Sequence, residues 1–257
     1  MQKSKPKPGL AITTVLAVIG TFVVNSLSNF FPPGGQNVGE IANTLLAGVL
    51  ITPANYAFII WGVIYVGLIA YSLYQLQPAQ QENSDFSRAN KLLIVACVAQ
   101  IIWIFCFTLK LFSLSILPML AILLPLLGIY INLGLNQLCQ SWQQKWFVKI
   151  PFSIYTAWIS VATIVNIASA LYVAGWNGWG LSDTLWTAIM LIVGGSVAGF
   201  IALAYRDVSF VMVFAWAYAA IVVRHPDITI IRVTGIVVIL LLFGLLAVGR
   251  FYQSRKA

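Results

Sequence analysis

Eight apolar stretches, separated by short polar breaks, constrain this chain more than any other feature of its sequence. An α-helix needs about 20 mostly apolar residues to cross the hydrocarbon core of a bilayer, and most of the stretches reach that length. The stretches cover residues 10–31, 56–76, 91–111, 115–138, 148–173, 184–205, 210–223 and 231–251. The sequence therefore predicts an all-α fold, a polytopic transmembrane helical bundle with about eight spans.

The composition also indicates a chain that lies in a membrane. The lipid bilayer is therefore its first predicted partner. Hydrophobic residues make up 61% of the 257 residues and charged residues only 8%, whereas soluble proteins carry about 25% charged residues. The seventh stretch, residues 210–223, is the weakest predicted span because it offers only about 14 residues. A tilted, re-entrant or locally thinned arrangement competes there with a full crossing.

The placement of positive charge predicts the orientation of the helices. The net charge is +8, and with eight spans 11 of the 14 Lys and Arg residues fall on one side of the membrane. These are Lys3, Lys5, Lys7, Arg88, Lys91, Lys145, Lys149, Arg206, Arg250, Arg255 and Lys256, against Lys110, Arg224 and Arg232 on the other side. The positive-inside rule then puts both termini in the cytoplasm. This asymmetry explains the charge without a nucleic-acid partner, and the short loops suit a bacterial inner (plasma) membrane.

Ionisable groups are missing from the interior of the predicted spans. The acidic residues fall in loops or at helix ends: Glu40, Glu82, Asp85, Asp183, Asp207 and Asp227. Ion-coupled carriers need such groups at membrane depth, so an ion-driven transporter is disfavoured. No nucleophile with a base is visible, and we predict neither catalytic residues nor enzymatic activity. Cys97, Cys106 and Cys139 lack C-x-x-C spacing and His225 is the only histidine, so no metal site is expected.

Aromatic residues at helical spacing form two stripes inside the predicted spans. The second span carries Phe58, Trp61 and Tyr65, and the fifth carries Tyr155, Trp158, Ala162 and Asn166. A large aromatic ring next to a small alanine leaves room for a planar guest, which an asparagine amide can orient. Aromatic belts and ordinary helix packing produce the same pattern, so both interpretations remain open at this point.

These two segments resemble motifs of the TspO family, the tryptophan-rich sensory proteins related to the mitochondrial translocator protein. Residues 52–65, TPANYAFIIWGVIY, resemble the start of the second helix of that family. Residues 155–166, YTAWISVATIVN, resemble its fifth-helix pattern, Y-x-x-W-x-x-x-A-T-x-x-N. In the third span, Gln100 and Trp103 with Phe107 are a looser match.

The resemblance implies a five-helix core at residues 10–175, followed by a three-helix extension at 176–251, with basic tails at 1–9 and 252–257. It implies a pocket for a planar hydrophobic ligand, with residues 38–51 as a lid. A tetrapyrrole is the candidate ligand, and no other cofactor is expected. The ligand-binding residues would be Phe58, Trp61, Tyr65, Trp103, Tyr155, Trp158, Ala162 and Asn166. The chain lacks the family's acidic residue in the fourth helix, so photochemistry on porphyrins is not expected.

Three functional hypotheses follow. The first is a membrane receptor or sensor that binds a planar hydrophobic molecule. The second is an uncoupled small-molecule transporter that moves about a fourth span kinked at Pro118 or Pro125. The third is a structural or assembly protein that contacts partners, or a second copy of itself, through Gly195 and Gly199. Glycines four residues apart are first of all a device for packing helices closely, and only weakly indicate a homodimer.

Overall fold

The computed structural model describes residues 7–134 and 141–254. Lys3, Lys5, Cys139, Arg255 and Lys256 lie outside the described residues, so the predictions that concern them are not addressed. The described chain is helical almost throughout, which confirms the predicted all-α class. Its α-helices are α1 (Pro8–Phe30), α2 (Val38–Asn43), α3 (Ile60–Tyr74), α4 (Pro78–Gln81), α5 (Ser84–Thr108), α6 (Phe112–Asn132), α7 (Trp142–Gln144), α8 (Ile150–Val173), α9 (Asp183–Ala204), α10 (Val208–Arg224) and α11 (Thr229–Ser254).

Seven helical segments of the described chain are long and apolar enough to cross a membrane. They comprise α1, α5, α6, α9 and α11, α3 with the 3₁₀ turn Asn55–Ile59 before it, and α8 with the preceding turns from Trp142. The chain is therefore an integral, multi-pass membrane protein. The weakest predicted span is a helix too, but α10 has only 17 residues. At 1.5 Å per residue it is about 25 Å long, shorter than the hydrocarbon core.

One helix start differs clearly from its prediction. The third span was expected to begin at residue 91, but α5 begins at Ser84. Asn83 caps the helix, since its side chain accepts a hydrogen bond from the Asp85 backbone N–H. The first turns of α5 are polar in sequence, yet Phe86 and Ala89 are buried. Hydropathy alone missed these turns because polar side chains alternate with the buried ones.

The described chain packs as two units. The first unit comprises residues 1–38 and 60–159, and thus α1, α3, α5, α6 and the first part of α8. A buried chain of hydrogen bonds ties three of these helices together. Tyr71 donates to Asn90 (2.7 Å), Asn90 donates to Gln75 (2.8 Å), and Gln75 donates to the carbonyl of Ala11 (2.9 Å). Helices that share an apolar environment gain stability from such satisfied polar contacts.

The second unit comprises residues 39–59 and 160–257. Its central helix is α10, in which Val211, Phe214, Ala217 and Ala220 are all buried. Helix α10 packs against both α9 and α11, which also pack against each other. The second unit therefore combines the three C-terminal helices with residues 39–59, which lie between α1 and α3 in the sequence and are called the first loop below.

The glycine pair of α9 serves the packing of this unit. A Cβ atom built on Gly195 would overlap Cγ1 of Val238 in α11, and one built on Gly199 would lie 3.0 Å from Cδ1 of Leu245. The packing interpretation of the Gly195–Gly199 spacing is thus confirmed. Both residues are buried against α11 in the same chain, so they offer no free surface for a partner.

We expect Gly195→Leu to destabilise the protein, because the new side chain has no room against α11. Overpacking of this kind costs about 1–3 kcal/mol. The matched control is Gly244→Leu, because nothing lies within 4 Å of a Cβ built at Gly244 in α11. Thermal unfolding in detergent should show a lower midpoint for Gly195→Leu and an unchanged or higher one for Gly244→Leu. Equal midpoints for the two variants would contradict the assigned contact.

Candidate functional site

An aromatic cluster in the first unit brings together four of the predicted site residues. The ring of Trp61 stacks on Tyr65 at 5.7 Å between centroids. It also meets Tyr155 at 6.1 Å and Trp158 at 6.5 Å, both edge-on. Phe22 of α1, which the sequence did not indicate, lies 5.3 Å from Tyr65. Helices α1, α3 and α8 therefore contribute rings to one cluster.

Burial distinguishes the members of this cluster. Tyr65, Tyr155 and Trp158 are 4%, 1% and 3% exposed, while Trp61 is half-buried. The predicted helical spacing explains the arrangement, since residues three, four or seven apart share a helix face. Trp61 and Tyr65 lie on one face of α3, and Tyr155 and Trp158 on one face of α8. The cluster reaches its surroundings through Trp61 and through Phe22, which is 40% exposed.

Three side chains of the first unit carry buried polar atoms without hydrogen-bond partners among the described residues. They are Gln100, of which neither the amide oxygen nor the amide nitrogen is bonded, Tyr65 through its hydroxyl, and Gln144 of α7 through its amide oxygen. Gln100 is 1% exposed. An unsatisfied buried polar group costs about 1–3 kcal/mol, so it needs an explanation in a stable fold. A bound ligand with hydrogen-bonding groups is one.

Gln100 lies on the side of α5 that meets the aromatic cluster. The carbonyl of Cys97, one helical turn before Gln100, accepts a hydrogen bond from Thr21 (3.2 Å), the residue before Phe22 of the cluster. Residues three apart share a helix face. The unsatisfied amide and the aromatic rings are therefore parts of one candidate site, for which sequence reasoning had offered Gln100 only as a loose family match.

The structure distributes the other predicted site residues differently. Trp103 belongs to the first unit, where its ring stacks on Phe107 at 5.0 Å. Phe58, Ala162 and Asn166 fall in the second unit. Ala162 and Asn166 continue the face of α8 that carries Trp158, because they follow it by four and eight residues within the same helix.

Helix α10 holds the first loop by side-chain contacts that the sequence did not predict. The guanidinium group of Arg224 donates to the carbonyls of Ala42 (2.9 Å) and Pro53 (3.2 Å). The indole N–H of Trp216 donates to the carbonyl of Ala57 (3.2 Å), and the backbone N–H of Ala54 donates to Ala220 (3.1 Å). Carbonyl groups of a non-helical segment need such donors when they leave water.

Residues 38–51, which the resemblance implies as a lid, do not form one continuous helix. Only Val38–Asn43 forms an α-helix, and turns follow it. Ile41, Leu46, Val49 and Ile51 are all at most 5% exposed. These four apolar residues are therefore packed within the protein, whereas Leu45 of the same segment is 45% exposed. A sequence signal for its anchor existed, since Arg224 and His225 interrupt an otherwise apolar region.

A family model described as TSPO-like protein matches residues 11–248 of the chain. No curated protein and no solved structure matches it. The match confirms the resemblance that the motifs at residues 52–65 and 155–166 indicated. It also extends beyond residue 175, where the resemblance to the five-helix bundle ended, and includes α9, α10 and nearly all of α11.

We expect Arg224→Met to loosen the first loop, because it removes the donor to the Ala42 and Pro53 carbonyls. A hydrogen bond from a charged group contributes about 1.5–3 kcal/mol, so amide exchange in residues 42–54 should accelerate on the order of tenfold or more. Arg232→Met is the control, since Arg232 is exposed and donates only to the nearby carbonyl of Pro226. Hydrogen–deuterium exchange measures both variants. Unchanged loop exchange in Arg224→Met would disprove the anchor.

Acid should also weaken this anchor through His225, whose side chain hydrogen-bonds to the backbone carbonyl of Leu50. Partial burial, and then the neighbouring Arg224 charge, hold the pKa of His225 below 6.5, and the Leu50 contact only partly offsets them. The unfolded chain therefore takes up the proton first as pH falls below about 6.5, and stability falls with it. We expect a lower unfolding temperature at pH 5.5 than at pH 7.5.

The control for this pH effect is His225→Gln, which keeps a hydrogen-bond donor and does not titrate. Its unfolding temperature should change less between pH 7.5 and pH 5.5 than that of the wild type. A wild-type protein with equal or greater stability at pH 5.5 would contradict the assignment.

Proposed function

The chain belongs to the TSPO-like family, and from that membership and the aromatic cluster of the first unit we propose that it is a membrane receptor or sensor. Its ligand would be a planar hydrophobic molecule such as a tetrapyrrole. The observation that carries the proposal is the unsatisfied amide of Gln100 beside the ring cluster. Ligand pockets typically combine apolar and aromatic walls with a few polar groups that fix orientation.

Each member of the cluster has a distinct role in this proposal. Trp61, the only half-buried ring of α3 and α8 in the cluster, rotates to admit the ligand. Tyr155 and Trp158 offer apolar ring surface for stacking, which is worth about 0.5–1.5 kcal/mol per aromatic pair beyond the area buried. The Gln100 amide can both donate and accept a hydrogen bond, and the Tyr65 hydroxyl can do either. These polar groups would bind the heteroatoms of the ligand.

The proposal involves binding without catalysis and no cofactor other than the ligand itself. With α10 as a short eighth span in a locally thinned bilayer, the distribution of Lys and Arg supports an orientation with both termini in the cytoplasm. The short loops support a bacterial inner membrane as the location. The assembly hypothesis loses the surface it was based on, because Gly195 and Gly199 pack against α11. The uncoupled transporter shares the binding step and differs only in releasing the ligand on the other side.

The deciding variant is Gln100→Leu, because we expect it to raise the unfolding temperature and to lower the affinity for the ligand. Leucine of similar size removes the unsatisfied amide, so the ligand-free protein should unfold at a higher temperature. The same change removes hydrogen bonds to the ligand and should weaken protoporphyrin IX binding about tenfold. A glutamine with a purely structural role would give a lower unfolding temperature.

Quenching of tryptophan fluorescence by protoporphyrin IX in lipid nanodiscs measures the affinity. We expect saturable quenching by wild type, weaker binding by Gln100→Leu and Trp158→Leu, and unchanged affinity for Trp179→Leu. Trp179 is 79% exposed and lies in the second unit, which makes it the matched tryptophan control. Linear quenching, or the same affinity in all four proteins, would mean non-specific partition into lipid and would refute the proposal.

A further inference from the structure

The second unit contains a cavity that is separate from the aromatic cluster. Its volume is about 510 Å³, within the range of roughly 300–1,000 Å³ that is usual for small-molecule pockets. The walls come from residues 48–51 of the first loop, from α8 and the turn after it, and from the start of α9. Ile164, Ala168 and Leu171 form the α8 wall. They lie on a different face of α8 from Tyr155 and Trp158, as their spacing requires.

One end of the cavity is aromatic and its shape is fixed by backbone contacts. Trp176 and Trp186 line it, with ring centroids 5.1 Å apart and planes inclined at 53°. The indole N–H of Trp186 donates to the carbonyl of Gly178 at 2.6 Å. Gly178 has a φ of +63°, and a Cβ there would lie 3.1 Å from the Trp186 ring. A glycine therefore suits both the backbone conformation and the close approach of the indole.

A third ring reaches the cavity because the first loop has no side chain at Gly48. A Cβ on Gly48 would lie 2.6 Å from the hydroxyl oxygen of Tyr172. Tyr172 thus passes directly over the loop backbone and lines the cavity beside Trp176. The aromatic end is therefore assembled from α8, α9 and the loop in advance of any ligand, which reduces the ordering needed for binding.

The cavity lining carries a negative charge three residues before Trp186 in the sequence. Of the described residues that line the cavity, Asp183 is the only one with a charged side chain. It lies in the first turn of α9 and is exposed. Aromatic faces attract cations, most strongly tryptophan, and are used to recognise quaternary ammonium groups. A carboxylate beside them adds attraction for a cation and repels an anionic ligand.

We propose that this cavity binds an organic cation with an apolar body, whose ammonium group lies between Asp183 and the rings of Trp176 and Trp186. The apolar body fills the space against Leu50, Ile164 and Leu171. This site is independent of the proposed function, since it shares no residue with the cluster around Trp61.

The experiment compares three probes that differ only at the polar end. They are trimethyl(6-phenylhexyl)ammonium, its uncharged isostere 2,2-dimethyl-8-phenyloctane, and the anion 7-phenylheptanoate. Equilibrium dialysis against protein in nanodiscs of digalactosyldiacylglycerol, with binding to empty nanodiscs subtracted, measures saturable binding of each probe. This lipid has no choline headgroup that could compete with the ammonium probe. We expect the ammonium probe to bind at least about tenfold more tightly than either other probe. Equal binding of the isostere, tighter binding of the anion, or no saturable binding of the ammonium would overturn the proposal.

Variants then locate the site. Asp183→Asn should weaken binding of the ammonium probe severalfold and leave binding of the isostere unchanged. The control is Asp85→Asn, which removes a first-turn acid from α5 in the other unit and should change the binding of neither probe. Ala168→Phe, which fills the cavity, should weaken both probes, while Gln100→Leu should affect neither. If Asp183→Asn has no effect on the ammonium probe, the proposal fails, even where Ala168→Phe does not fold.

A second set of nanodiscs identifies the source of the cation. If the natural occupant is a free organic cation, the ammonium probe binds equally in phosphatidylcholine and in galactolipid nanodiscs. If the headgroup of a choline lipid enters the cavity, phosphatidylcholine competes and weakens the probe. Both results support recognition of an ammonium group.

Discussion

Polar groups that leave water must find partners within the protein, and this requirement explains much of the structure. In the first unit, Asn90 donates a hydrogen bond to Gln75 and accepts one from the hydroxyl of Tyr71, and Gln75 donates to the backbone carbonyl of Ala11. These bonds connect three helices. In the second unit, Arg224 and Trp216 supply donors to the carbonyls of a loop that forms little regular structure. The same requirement thus positions the helices of one unit and the irregular segment of the other.

The exceptions to this rule are informative where they lie beside other unusual features. Gln100 and Tyr65 keep buried polar atoms without partners among the described residues, and both belong to the first unit, which contains the aromatic cluster. Local departures from consistent packing are expected where a protein binds or reacts. A site built of tightly packed rings and an unsatisfied amide suits a ligand that brings both planar surface and hydrogen-bonding atoms.

The length of the apolar stretches was enough to predict the helices, and helical spacing was enough to predict two pairs of rings in the candidate site. It placed Trp61 with Tyr65 and Tyr155 with Trp158, because contacts within one helix follow from its period. It could not predict which segments pack together over long distances in the sequence. Phe58, Ala162 and Asn166 therefore fell in another unit. The charge of Arg224 interrupts an apolar region, but nothing local in the sequence indicates its contact with Pro53, 171 residues earlier.

The C-terminal helix α10 stabilises the conformation of the first loop, and its short length places its last residue beside that loop. With 17 residues it is too short for an ordinary span, and it ends at Arg224, where the guanidinium group meets the loop carbonyls. Without α10, the carbonyls of Ala42, Pro53 and Ala57 would lose their donors, which an apolar environment penalises by several kcal/mol per group. A loop of this conformation therefore requires α10, against which α9 and α11 pack. This agrees with a family match that runs through the C-terminal helices to residue 248.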